Sequence, residues 1–249
     1  MDPQEYNLMF TVEQTHWWYQ GMEKITRAIL NKWHGSGSNA RILDAGCGTG
    51  AGMSTYLSDY GKVTGIDISP IALGFCHKRN LTSLALASVT KIPFHSDSFD
   101  LVTSFDVLYE QAVQSDLTAV TEFFRVLRPG GLVLLRLPAY DWLRGQHDVT
   151  IHTARRYTAQ QVNQLLQDSG FHLLHSSYAN TILFPLAVAK RLLEHIFPPA
   201  PASSDLSVNV GALNGLFKTI LGCEASLTVH IGMPFGLSVI AIGQKPETA

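Results

Sequence analysis

The chain has 249 residues, a net charge of −2 and only 15% Asp, Glu, Lys and Arg. That balance leaves no basic footprint for nucleic acid, and the length suits an α/β domain with additions and a sizeable core. A charged fraction well below the usual value of about a quarter, with mean hydropathy +0.10, suits an apolar substrate, a membrane face or a second subunit. Three cysteines give no disulfide framework, and no Cys/His cluster has metal-ligand spacing. The acidic start Met1-Asp2-Pro3-Gln4-Glu5 lacks the pattern of a secretory signal, so cytoplasmic residence is the expectation.

In chain order, residues 12–33 predict a helix ending near Gly35-Ser36-Gly37-Ser38. Trp17, Trp18 and Tyr19 cannot all face one core on a helix. Tyr19 or Trp17 is therefore expected beside a cleft, with residues 1–39 as a lid; plain packing on a sheet is the alternative, above all for Trp18. Arg41-Ile42-Leu43-Asp44 then reads as an apolar strand ending in an acid. Gly46, Gly48 and Gly50 follow in a tight turn before a helical stretch, and Val63-Thr64-Gly65-Ile66-Asp67 is a second strand ending in an acid. Glycines let backbone approach a ligand closely, and a carboxylate can accept from two ribose hydroxyls. Gly46-x-Gly48-x-x-Ala51 with Asp67 formally fits a dinucleotide fingerprint. Asp44 argues against it, because a carboxylate there repels phosphate and favours a positive group such as the amino group of a methionine moiety. A ligand-free strand-to-helix turn is the other alternative.

Further short apolar runs at 84–89, 99–104 and 132–137 alternate with helical patterns at 52–60, 70–80 and 117–127. This alternation predicts a parallel sheet covered on both faces, with ligands beyond the carboxyl ends of the strands. Asp44, Asp67 and Phe105-Asp106 should converge there, and Pro129-Gly130 suits a type II turn. Trp142, His147, Asp148, His152, Arg155, Arg156 and Tyr157 then crowd one loop, placed where such scaffolds carry substrate groups. The plain alternative is that an arginine pairs with a carboxylate and Tyr157 packs under the next helix, which Thr158 caps and Gly170 stops. Residues 171–177 and 238–244 read as the last two strands. Between them, 181–197 is a mostly apolar helix too short to span a bilayer. Its Lys190 and Arg191 permit peripheral membrane contact as an interfacial helix; a pocket wall or a dimer contact fits equally. A Pro/Ser linker at 198–204 and a short helix at 214–221 complete the pattern.

Asp44-Ala45-Gly46-Cys47-Gly48-Thr49-Gly50 resembles the cofactor loop of class I S-adenosylmethionine-dependent methyltransferases. Three more stretches resemble that family in the right order: Ile92-Pro93-Phe94 with Phe99-Asp100, Phe105-Asp106-Val107-Leu108, and Leu127-Arg128-Pro129-Gly130-Gly131. The resemblance covers about residues 40–137. It implies a single α/β domain over 1–249 built on a Rossmann-like, seven-stranded, mostly parallel sheet. Helices should cover both faces, with an N-terminal helix and a helical insertion at 181–237 before an antiparallel last strand. It implies S-adenosylmethionine as cofactor, held by Asp44, Gly46, Cys47 and Gly48 of the loop, by Asp67 and Ile68, by Ser88 and Val89, and by Phe105 and Tyr19. One departure weakens adenine recognition: many relatives carry an acid just before the "LPF" segment, and this chain has Ser88-Val89-Thr90 there. An "H…RRYT" stretch recurs in bacterial small-molecule members, which implies methyl transfer to a small acceptor, most simply at oxygen. His147 or His152 would be the base, oriented by Asp148, with Tyr157 beside it and Trp142, Arg155 and Arg156 holding the acceptor. A member that binds the cofactor without catalysis is the alternative, and a nicotinamide oxidoreductase is disfavoured by Asp44.

Overall fold

Seven short segments pair into one sheet in the computed structural model, which describes residues 3–35, 39–145, 148–149, 151–196, 211 and 213–247. The strands are β1 (Ala40–Ala45), β2 (Gly61–Asp67), β3 (Leu84–Leu86), β4 (Phe99–Phe105), β5 (Leu127–Pro138), β6 (His172–Ala179) and β7 (Ser238–Gln244). Their order is β3-β2-β1-β4-β5-β7-β6, and only the pairs made by β7 are antiparallel. This is the Rossmann-like sheet the sequence predicts. β1 is buried everywhere except Arg41, as a central strand covered on both faces must be.

The helices in chain order are α1 (Pro3–Val12), α2 (Trp17–Trp33), α3 (Ala51–Thr55), α4 (Pro70–Lys78), α5 (Asp116–Val126), α6 (Ala159–Asp168), α7 (Phe184–Ile196) and α8 (Leu213–His230). Successive strand residues point to opposite faces, so neighbours divide between two cores. Leu43, Val102 and Leu135 pack with Phe123 of α5 and Val162 and Leu166 of α6. Ile42, Leu101 and Ile240 pack with Ile25 and Ile29 of α2 and Leu221 of α8. Helix ends follow local chemistry. Thr158 caps α6 in a reciprocal capping box with Gln161, and Gly170 takes φ +93° just beyond its end.

Four boundaries differ from the sequence reading. The helix expected over 12–33 begins only at Trp17, after a separate unpredicted helix over Pro3–Val12, because Glu13 turns inward and His16 is extended (φ −69°, ψ 134°), its Nδ1 accepting the Trp18 N–H at 3.3 Å. β3 stops at Leu86, freeing Ser88 and Val89 for a loop. β5 starts at Leu127 and absorbs the Pro129-Gly130 turn as an irregularity in its pairing with β4. The short helix expected at 214–221 runs on to His230, since Glu224 and Thr228 are fully buried and partnered rather than exposed. The linker expected at 198–204 and residues 36–38 lie outside the described residues.

Candidate active site

A cavity of about 910 Å³ lies along the carboxyl edge of the sheet. The strand order sets its shape: ends of β2, β1, β4, β5 and β6 and the start of β7 all reach it, with α1, α2 and Phe217 of α8, which packs on Trp17, along one side and α7 contributing a further wall.

The cofactor-like end is built from the first two strand-to-helix turns. Gly46 has φ +85°, and a Cβ there would lie 2.2 Å from Val107 Cγ2, so only glycine fits. The Gly46 and Cys47 N–H groups donate to the Ile66 carbonyl at 2.8 and 2.9 Å, tying the turn to β2. Asp67 accepts the Gly48 N–H at 2.9 Å on one oxygen and the Ser69 N–H at 2.8 Å on the other. Each oxygen keeps a lone pair. Burial raises the Asp67 carboxyl above its usual range. Asp44 accepts from the Thr103 hydroxyl at 2.8 Å, and burial pushes it up to about 6 despite that bond and Arg136 nearby. A cation placed against Asp44 would restore its ionised form. Ile68, Ser88, Val89 and Phe105 also line this end, with the Ser88 hydroxyl 2.8 Å from that of Thr90.

Trp17, Trp18 and Tyr19 all line the cavity. Trp18 is more than packing, because the Arg136 guanidinium sits 5.0 Å from its ring centre and 4.9 Å from that of Phe105. Arg136 also pairs with Asp106 at 2.6 Å. Burial raises the Tyr19 hydroxyl far above its ordinary value.

The acceptor loop divides. Arg156 lines the cavity, gripping Asp148 through two bonds of 2.8 and 2.9 Å. Burial alone would raise Asp148, but Arg156 holds it below its usual range. Arg155 and Tyr157 do not line it. Arg155 pairs with Asp116 and the Val113 carbonyl, and the Tyr157 hydroxyl donates to the Leu108 carbonyl at 3.0 Å and reaches Asp116 at 2.8 Å. Those contacts dock the loop on α5 and place Tyr157 away from any acceptor. Trp142 is 58% exposed and packs on Tyr140 and Phe184 outside the cavity, and His152 is exposed and also outside it. His147 lies outside the described residues.

Three cavity residues carry no sequence signal. Glu13, buried in the α1–α2 turn, accepts from the Thr49 hydroxyl at 2.6 Å and pairs with Arg79, locking the lid to the glycine loop. Glu110 lines the cavity shortly after β4, which ends at Phe105, and burial followed by the nearby Asp67 raises its carboxyl to about 7. Asn180, just after β6, is fully buried against the far end. Each owes its place to contacts distant in sequence, which spacing does not reveal.

Residues 43–135 match the protein family described as "Methyltransferase domain". Malonyl-acyl-carrier-protein O-methyltransferase of Enterobacter lignolyticus is 41% identical over 106 residues, 42% of this chain and 41% of that one. Fatty-acid O-methyltransferase of Mycolicibacterium smegmatis is 29% identical over 146 residues, 52% of each chain. This chain thus spans about half the length of these curated relatives. An S-adenosylmethionine-dependent methyltransferase of Thermotoga maritima shares the fold, with TM-score 0.59 at 16% identity over 97% of this chain and 95% of that one. In its strand order, its glycine turn and the match over 43–135, the core of this chain is similar to the class I S-adenosylmethionine-dependent methyltransferases.

Proposed function

We propose that this protein transfers a methyl group from S-adenosylmethionine to a small-molecule acceptor at a hydroxyl oxygen. The observation that carries the reading is the pair of buried carboxylates, Asp44 and Asp67, at the glycine turn of one cavity. Asp44 would meet the cofactor's amino group and Asp67 its ribose hydroxyls. Cys47 and Gly48 would pass beside it, Ile68, Ser88 and Val89 would border the adenine, and Phe105 and Tyr19 would close over it. When bound, the cofactor supplies an electrophilic methyl group on sulfur. The chain's task is then alignment, which can contribute roughly 7–11 kcal/mol.

A hydroxyl acceptor also needs a base. His152 does not line the cavity, so Glu110 takes that role in this reading, a carboxylate poised near neutrality that does line it. Arg156, fixed by Asp148, shapes the acceptor wall. Two similar proteins, named malonyl-acyl-carrier-protein O-methyltransferase and fatty-acid O-methyltransferase, favour oxygen as the acceptor atom; a third, phosphoethanolamine N-methyltransferase of Triticum aestivum, is named for nitrogen.

Calorimetric titration with S-adenosylmethionine, S-adenosylhomocysteine and NADH is the test. Both sulfur compounds should bind and NADH should not, and Asp67→Ala should weaken binding by at least tenfold. NADH binding, or Asp67→Ala binding at full affinity, would sink the reading. Cofactor binding with no turnover across an acceptor screen would favour a member that binds without catalysis.

A further inference from the structure

Among the described residues, five have buried side-chain polar atoms without a hydrogen-bond partner: Thr26, Thr153, Asn163, Ser176 and Asn180. Only Asn180 lines the cavity, and only Asn180 lacks partners at both its Oδ1 and its Nδ2. Buried amides without partners are rare, and each asks for an explanation.

The backbone around Asn180 is firmly held. Ala179 pairs with Ser238 of β7, and the Thr181 N–H donates to Glu224 of α8 at 2.9 Å. Asn180 itself has φ +61°. That conformation explains why no branched residue stands there, but glycine would serve it equally, so it leaves the carboxamide unexplained. Leu183 and Ala187, soon after Asn180 in the chain, and Leu237, just before β7, also line the cavity, as do the cations Arg156, Lys190 and Arg191. Three strand steps, β4 to β5 to β7 to β6, separate Asn180 from the end of β4. At ordinary strand spacing that is roughly 14 Å.

Building on the methyltransferase reading, we propose that Asn180 recognises the far end of an elongated acceptor. This acceptor has an apolar body and, about 14 Å from its methyl-accepting oxygen, a second hydrogen-bonding group such as a hydroxyl. The carboxamide both donates and accepts, so it pairs with a group that does the same. A molecule ending in a bare methyl group would leave the amide buried and unpaired, which is the condition under which polar sites discriminate most strongly.

The test uses protein saturated with S-adenosylhomocysteine, titrated with 1,12-dodecanediol and 1-dodecanol, which differ only in the distal hydroxyl. The diol should bind about tenfold more tightly, although it is the less apolar of the two. Asn180→Gly, which keeps the backbone conformation, should abolish that preference and leave S-adenosylhomocysteine affinity unchanged. Asn180→Asp, which still accepts from a hydroxyl, should retain it. Equal or tighter binding of dodecanol, a preference that survives in Asn180→Gly, or binding of neither alcohol would each overturn the proposal. Loss of S-adenosylhomocysteine binding in the unaltered protein is a separate result, which fails the cofactor reading and this one with it.

Discussion

Glu110 and Asp44 show how one cavity sets two carboxyl groups to different tasks. Asp44 is enclosed and held by Thr103, with burial raising it to about 6, and it waits for a cation. Because its folded value lies above the ordinary one, empty Asp44 lowers stability as pH rises through about 4 to 6. An ammonium group bound against it reverses that effect. Glu110, raised to about 7, is mostly protonated at pH 6 and mostly ionised at pH 8. A base must be ionised to act, so kcat/KM should climb with pH through about 7 and then level off. Glu110→Gln should remove that limb and lower kcat by about 10²–10⁴-fold. A flat profile with an unchanged rate would show that the acceptor arrives already ionised. Asp44 and Asp67 were legible from the sequence because each ends an apolar run beside a glycine turn. Glu110 was not, since nothing local separates it from a solvated acid.

At the scale of elements, the paired helices α2 and α8 carry the most telling contact. A Cβ on Gly21 would lie 2.4 Å from Leu221 Cδ2, so the glycine sets how closely the two helices approach. Gly21→Ala, which on helix propensity alone should stabilise, should instead cost about 1–3 kcal/mol through overpacking. Denaturant unfolding measures this, and an unchanged midpoint would mean that the helices part freely. The extent of α8 was hidden because its buried side includes Glu224, which accepts the Thr181 and Ile182 N–H groups, and Thr228. Acids and hydroxyls on the inner face interrupt the apolar period that marks a helix. The strands of the core were readable for the opposite reason: sheets covered on both faces need nearly continuous apolar runs.

For the whole molecule, apolar side chains remain at the surface near the acceptor end. Ile182, Leu186, Leu192 and Leu193 on or beside α7 are each about half exposed or more, with Lys190 among them. No described helix is long and apolar enough to cross a membrane. An interfacial role is the expectation this distribution supports. The protein should sediment with vesicles of anionic lipid, and Leu192→Ser with Leu193→Ser should reduce that fraction severalfold. Concentration-dependent dimerisation without vesicle binding would assign the surface to a second copy instead.

The ion pair of Glu13 and Arg79 fastens the α1–α2 turn to Thr49 of the glycine loop, with side-chain exposures of only 3% and 8%. Removing one partner of such a buried pair typically costs about 3–5 kcal/mol, so lifting the lid is a demanding motion. The buried pair at the acceptor end, Arg156 with Asp148, lies within the acceptor loop and does not tie it to the glycine turn. Turnover should therefore be ordered, with the methyl donor first on and its spent form last off. Escape of that spent form would set the pace, and rapid mixing would register it as a burst of methylated product in the first cycle.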